Sequence, residues 1–375
     1  MRVTVGTFKP TEKMWSYFND IWETARISYG PFSRKLEDMT ADLHGCRWGV
    51  LSNSGTSSLQ VAVQALKTLH GWKDGAEVIV PSLTFCATVN VILHNRLKPV
   101  LVDVDPDYYD IEVGMIDEVA TKETVAIMPV HLFGQQCNMP GVMDRADRMG
   151  LKVIEDSCET MFAGGTKGDI ACFSFYVAHL ITGGVGGCAI TNNADYAQAM
   201  RSLCNHGLSL QELPSGEPYD PTFLSRKFRF DQIGHSYRIT EFEAALALAQ
   251  MEEWEPMIAK RRENAATLTG LLKDLEIQGH LTLPIRRGAH SWMMYPIVLN
   301  EPKWNLMRWL SARNIECREM VPLTNQPCYA GMFKESDYPV SANINRRGLY
   351  VGCHQDLTTE QLEYMADAFY AYFAT

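Results

Sequence analysis

An α/β fold, with a mostly parallel central sheet and a smaller C-terminal α+β domain, is what this chain of 375 residues predicts. Two observations carry that expectation. From about residue 45 to 205, short apolar runs alternate with helical patterns, the signature of βαβ units feeding a buried parallel sheet. From Thr240 to about Leu275 one long helical pattern follows, and beyond it strands and helices are mixed without that alternation. Residues 1–240 then make a large domain with an N-terminal arm, 241–275 a long connecting helix, and 276–375 the small domain.

In chain order, Trp48–Ser52, Glu77–Pro81, Pro99–Val104, Val125–Val130, Lys152–Asp156, Asp169–Phe175 and Gly187–Thr191 read as strands. Between the first two, Leu59, Val63, Leu66 and Leu69 recur at helical spacing, so a helix starts at the Ser54-Gly55-Thr56-Ser57 stretch. From Gly207 to Asp231 the composition turns to Ser, Pro, Glu and Gly without periodicity, which predicts a long surface loop with the character of a lid. The tail predicts strands at Trp292–Val298 and near Ile315–Val321, and helices near Lys303–Ala312 and Thr359–Tyr372.

The composition narrows the function. With 44 acidic residues against 34 basic ones, the net charge is −10, and no Lys/Arg block is present to neutralise a phosphate backbone, so nucleic acid is excluded as the main partner. No apolar run approaches the roughly 18–20 residues that span a bilayer, and the N-terminus lacks a signal peptide's apolar region. A soluble, cytoplasmic protein without a membrane partner is expected. The ten cysteines include no CxxC pair, which argues against a disulfide framework and against a metal or iron–sulfur site.

Four stretches carry candidate chemistry. Ser52-Asn53-Ser54-Gly55-Thr56-Ser57-Ser58 joins a strand to a helix, and its small side chains let backbone N–H groups approach an anion at the positive end of the helix dipole. An ordinary polar turn capping a helix has the same look. Pro81-Ser82-Leu83-Thr84-Phe85 follows a strand, and Phe85 suits either stacking on a flat ring or plain core packing. Asp156 ends a buried strand, where ligands of parallel sheets sit, with Glu159 three residues on. A carboxylate there pairs with a protonated heterocycle or serves as a cap. Last, Phe173-Ser174-Phe175-Tyr176-Val177-Ala178-His179 runs from a strand through a hydroxyl to an imidazole, and Gly183-Gly184-Val185-Gly186-Gly187 returns to the next strand.

In this order the four stretches resemble the sugar aminotransferase family (DegT/DnrJ/EryC/StrS type) of fold-type I pyridoxal-phosphate enzymes. The resemblance extends to Val102-Asp103-Val104-Asp105-Pro106, His131-Leu132-Phe133-Gly134, Gly234-His235-Ser236-Tyr237-Arg238-Ile239-Thr240-Glu241 and Leu349-Tyr350-Val351-Gly352-Cys353-His354. It implies an aspartate-aminotransferase-like fold and a homodimer with sites at the subunit interface. It also implies that pyridoxal or pyridoxamine 5'-phosphate is held by Gly55, Thr56 and Ser174 at the phosphate, by Phe85 as stacking ring and by Asp156 at the pyridine nitrogen. Glu159 falls near the ring's phenolic oxygen. Ser236, where the family usually has Asn, is contributed to the neighbouring subunit's phosphate, and Val185 stands where Glu is common.

His179 occupies the position of the lysine that anchors the cofactor in ordinary members, and no lysine occurs from Gly168 through Arg226. Imidazole forms no stable imine, yet it moves protons near neutral pH. A His here is similar to the sugar 3-dehydratase branch, which deoxygenates nucleotide-linked 4-keto-6-deoxy hexoses, the nucleotide being GDP or CDP for example. The resemblance implies His179 as the catalytic base, with an amino acid, usually glutamate, as amino donor. Two other readings stay open at this point. One is an aminotransferase or proton-shifting enzyme on a different amine, using a distant lysine such as Lys227. The other is a non-catalytic binding or regulatory protein on the same scaffold.

Overall fold

The computed structural model describes residues 1–209, 229–321 and 323–374. Most of the surface loop expected over Gly207–Asp231, with Lys227, lies outside the described residues. The N-terminal arm carries helices α1 (Glu12–Thr24) and α2 (Pro31–Leu43). The first sheet contains β1 (Trp48–Ser52), β2 (Glu77–Pro81), β3 (Lys98–Val102), β4 (Thr124–Ile127), β5 (Lys152–Asp156), β6 (Ile170–Ser174) and β7 (Gly187–Thr191), in spatial order β1-β7-β6-β5-β4-β2-β3. Neighbours from β6 to β3 pair in parallel, while β7 runs antiparallel to both β1 and β6. The sheet is therefore mostly parallel, as expected. Strands β2, β6 and β7 are buried along their whole length, so alternation has no solvent side to mark there.

This topology gathers the four stretches. The carboxyl ends of β1, β2, β5 and β6 share one edge of the sheet, and antiparallel β7 starts there. Three strands stop earlier than their apolar runs for that reason. Val104 and Val130, read as strand residues, make only isolated bridges, to Ile111 and Asp156, where the chain leaves the ladder at this edge. Likewise Asp169–Phe175 contracts to Ile170–Ser174.

Helix α3 (Gly55–His70) starts after Ser54, whose Oγ accepts the Ser57 N–H at 3.0 Å, and ends at Gly71 in the left-handed region. Helix α4 (Cys86–His94) starts directly after Phe85. A single helix from Thr240 to about Leu275 is not what forms. Glu241–Met251 and Trp254–Ile277 are separate helices, with Glu253 between them at φ −124°. The cause is Pro256, which lacks an N–H and is accommodated only in a helix's first turn. Glu252 at the break accepts hydrogen bonds from Lys13 and Tyr17 of α1, at 2.7 and 2.6 Å.

The second sheet holds β8 (Leu281–Thr282), β9 (Tyr295–Leu299), β10 (Cys317–Glu319) and β11 (Gly348–Val351), antiparallel in the order β10-β11-β9-β8. Trp292 precedes β9 with φ +50°, which takes it out of the strand expected from residue 292. Helices Trp304–Ser311 and Thr359–Phe373 close this layer over a separate apolar core around Leu268, Tyr295, Leu349 and Phe369. All ten cysteines are free, and no helix of the described residues is long and apolar enough to cross a membrane.

Candidate active site

A cleft of about 380 Å³ opens at the sheet edge where the four stretches meet, and Gly55, Thr56, Phe85, Asp156, Glu159, Ser174 and His179 all line it. Its far wall comes from the second sheet and the segment before it: Arg318 on β10, Tyr350 on β11, and Met293 and Met294.

At one end sits the N-terminus of α3. Gly55 is required there by close approach, since a Cβ would lie 2.7 Å from both Cys158 Sγ and Ser174 Cβ. Gly187 is equally constrained: a Cβ on it would come 2.5 Å from the Ser54 carbonyl, because β7 begins directly against this turn. The first N–H groups of a helix have no intrahelical partners and face the positive dipole end. With the Ser174 hydroxyl beside them, they form a concave anion site.

Asp156 lies deep in the cleft. Its Oδ2 accepts the Thr88 hydroxyl at 2.8 Å and its Oδ1 the Cys158 N–H at 3.2 Å. Burial pushes the carboxyl's pKa up, while these two donors hold it down. Thr84 Oγ1 bonds Thr88 Oγ1 at 2.8 Å and completes the chain. Phe85, just before α4, is 60% exposed, so it is not core packing; its ring stands open at the cleft.

Glu159 accepts the Phe133 N–H through Oε2 at 3.1 Å. Burial raises its pKa to about 7, helped by the neighbouring Asp156 charge. His179 sits on the loop between β6 and β7, fixed by its own N–H to the Tyr176 carbonyl at 2.9 Å. Its Nδ1 is buried without a hydrogen-bond partner among the described residues. Burial lowers its pKa to about 4, opposed weakly by the Ser174 backbone, so the imidazole is neutral at pH 7.

Ser236 is not brought to this cleft. It lies exposed on the segment that bridges Asn205, with its Oγ accepting from Arg238 Nη2 at 3.1 Å. Sequence reasoning passed over Thr88, Arg318 and Tyr350. Thr88 carried a signal, one turn beyond Phe85 in a helix that starts at the sheet edge. Arg318 carried none, because it arrives from a different sheet, and Tyr350 lay inside the Leu349–His354 stretch of the family resemblance with no role attached to it. Among the described residues, no cluster of His, Cys, Asp and Glu is arranged to hold a metal ion.

A glycine cradle at a helix N-terminus, a buried carboxylate with no ion-pair partner in contact among the described residues and an open aromatic ring suit a flat heterocycle that carries a phosphate and a protonated nitrogen. The fold is that of pyridoxal-phosphate enzymes of fold type I. The model of the DegT/DnrJ/EryC1/StrS aminotransferase family matches residues 10–370, and the chain belongs to that family. It works with pyridoxal or pyridoxamine 5'-phosphate. Over 377 aligned residues the chain is 33% identical to the GDP-perosamine synthase of Caulobacter vibrioides, covering 96% of each. Among solved structures, a GDP-4-keto-6-deoxy-D-mannose-3-dehydratase of Escherichia coli with bound hydrated PLP has a TM-score of 0.88 at 22% identity, over 98% of this chain and 99% of that one. An aminotransferase from Psychrobacter cryohalolentis has a TM-score of 0.89 at 24% identity, over 99% of each chain. At these identities the two solved structures speak for the fold.

Proposed function

We propose that the protein removes the 3-hydroxyl of a nucleotide-linked 4-keto-6-deoxy sugar, with His179 as the base where the family has its lysine. The observation that carries this reading is the identity of the side chain at that place. His179 is in the cleft wall, and no lysine is among the described residues that line it. A GDP-linked sugar is favoured by the names of the Caulobacter relative and the Escherichia coli structure.

The phosphate would be held by the Gly55 and Thr56 N–H groups and the Ser174 hydroxyl. Asp156 would accept the ring N–H, kept in place by Thr88, and Phe85 would cover one face of the ring. Glu159 would stand on the side of the phenolic oxygen. When bound, the cofactor supplies an amine that joins the C4 ketone and a ring that withdraws electrons. Neutral His179 takes a proton from the carbon beside that amine, and burial ensures that it is an acceptor at pH 7. Glutamate is the reductant: it is oxidised to 2-oxoglutarate, its nitrogen is released as ammonia, and the C3–O bond becomes C3–H. Ser236, remote from its own cleft, fits a homodimer in which each subunit completes the other's phosphate site.

Aminotransfer is the competing reading, favoured by the family's description and the Caulobacter relative's name. Incubation with pyridoxal phosphate, glutamate and GDP-4-keto-6-deoxymannose separates the two. A 3,6-dideoxy-4-keto product with ammonia release is expected. A 4-amino sugar that keeps its 3-hydroxyl would overturn the reading.

A further inference from the structure

We propose that Glu159 is the acid that protonates the departing 3-hydroxyl, so that proton removal and proton delivery are divided between two side chains; this rests on the dehydration reading above.

His179 and Glu159 line the same cleft from different segments, the β6–β7 loop and the turn after β5. Glu159 Oε2 is engaged by the Phe133 N–H, while Oε1 has no hydrogen bond among the described residues. The charged and titratable groups around it do not favour a carboxylate. Asp156 lies three residues before it with a like charge, and Tyr350 of β11, which also lines the cleft, has its own pKa raised by burial and by the Glu159 charge. Arg318, the guanidinium in the cleft wall, is drawn instead to Glu316 Oε1 at 2.7 Å. Met293 and Met294 complete an apolar surround.

The two groups are thus driven to opposite protonation states. Burial makes His179 an unprotonated acceptor in the resting site and keeps Glu159 protonated in part at neutral pH. Two titratable groups separated in this way are the usual mark of an acid–base pair. The step balances: His179 gains a proton, the electron pair left on carbon becomes a double bond, and the C3–O bond breaks with its pair on oxygen. That oxygen takes the Glu159 proton and leaves as water. Imidazolium and carboxylate are then restored by exchange with solvent.

The experiment compares leaving groups. On the 3-hydroxy substrate Glu159→Gln should be slower by about 10²–10⁴-fold, the ordinary contribution of a positioned acid. On the 3-fluoro analogue, whose fluoride needs less help from a proton, the loss should be smaller than on the hydroxyl substrate by about tenfold or more. Wild-type turnover of the hydroxyl substrate should fall as pH rises through about 7, because the acid must be protonated, and Glu159→Asp should keep a falling limb. Independently of turnover, the unloaded wild type should show a protonated-carboxyl infrared band that titrates near pH 7 and is missing from Glu159→Gln. Equal losses on both substrates, no loss on either, or no such band would overturn the assignment. A wild type that eliminates neither group and only transfers an amine would overturn the dehydration reading instead.

Discussion

The two ends of the cleft are made of different material. The phosphate end is backbone and small side chains: the α3 N-terminus at Ser54, Gly55 and Thr56, Gly187 pressed against it, and the Ser174 hydroxyl. The other end is ionisable: Asp156 on its Thr88 hydroxyl, Glu159 on the Phe133 N–H and His179 with a bare Nδ1. The first end has no room for a Cβ on Gly55 or Gly187. On the proposed reading this end binds the cofactor's phosphate and the other chooses the reaction, so substitutions at the two ends should fail in different ways.

The largest effect belongs to the ionisable end. His179→Asn should cut elimination by about 10²–10⁴-fold, the worth of a positioned base, with cofactor affinity in a spectral titration unchanged. His179→Lys should create an amine that borohydride fixes to pyridoxal phosphate. Wild type, treated alike and digested, should yield no stoichiometric pyridoxyl-lysine peptide, and finding one would erase the contrast between the ends.

Gly55→Ala should show the opposite signature. Its Cβ would meet Cys158 Sγ and Ser174 Cβ at 2.7 Å, and overpacking of this kind costs about 1–3 kcal/mol. If the cost falls on the bound state, cofactor Kd rises by roughly 10–100-fold. Turnover at saturating cofactor should change far less. A loss of turnover that saturation leaves intact would show that the phosphate end also sets the chemistry.

The smallest effect is expected at the cap. Ser54→Ala removes the acceptor of the Ser57 N–H and should cost about 1 kcal/mol of stability in urea unfolding, with product ratio unchanged. A changed ratio of deoxygenated to aminated product would again join what the comparison separates.

How much of this was legible follows from where each signal resides. Seven apolar runs, a small-residue turn, Asp156 at a strand end and an imidazole after Ser174 are local patterns. A β-strand, a helix cap or a glycine turn is decided by adjacent residues, so the sequence alone determined the parallel sheet, the elements at its edge and the substitution at His179. Pro256 also announced the break between Glu241–Met251 and Trp254–Ile277, although the apolar period masked it. The tertiary structure alone decided what those residues become. Arg318 and Tyr350 enter the cleft from a second sheet more than 130 residues beyond His179; no pattern around Arg318 points there, and the stretch around Tyr350 gave a resemblance but no place in the site. The neutral His179, the raised Glu159 and the Thr88 support of Asp156 depend on burial and on partners distant in the chain. Charge state is set by the whole surrounding volume, whereas secondary structure is set by near neighbours, so one could be read from the sequence and the other had to wait for the fold.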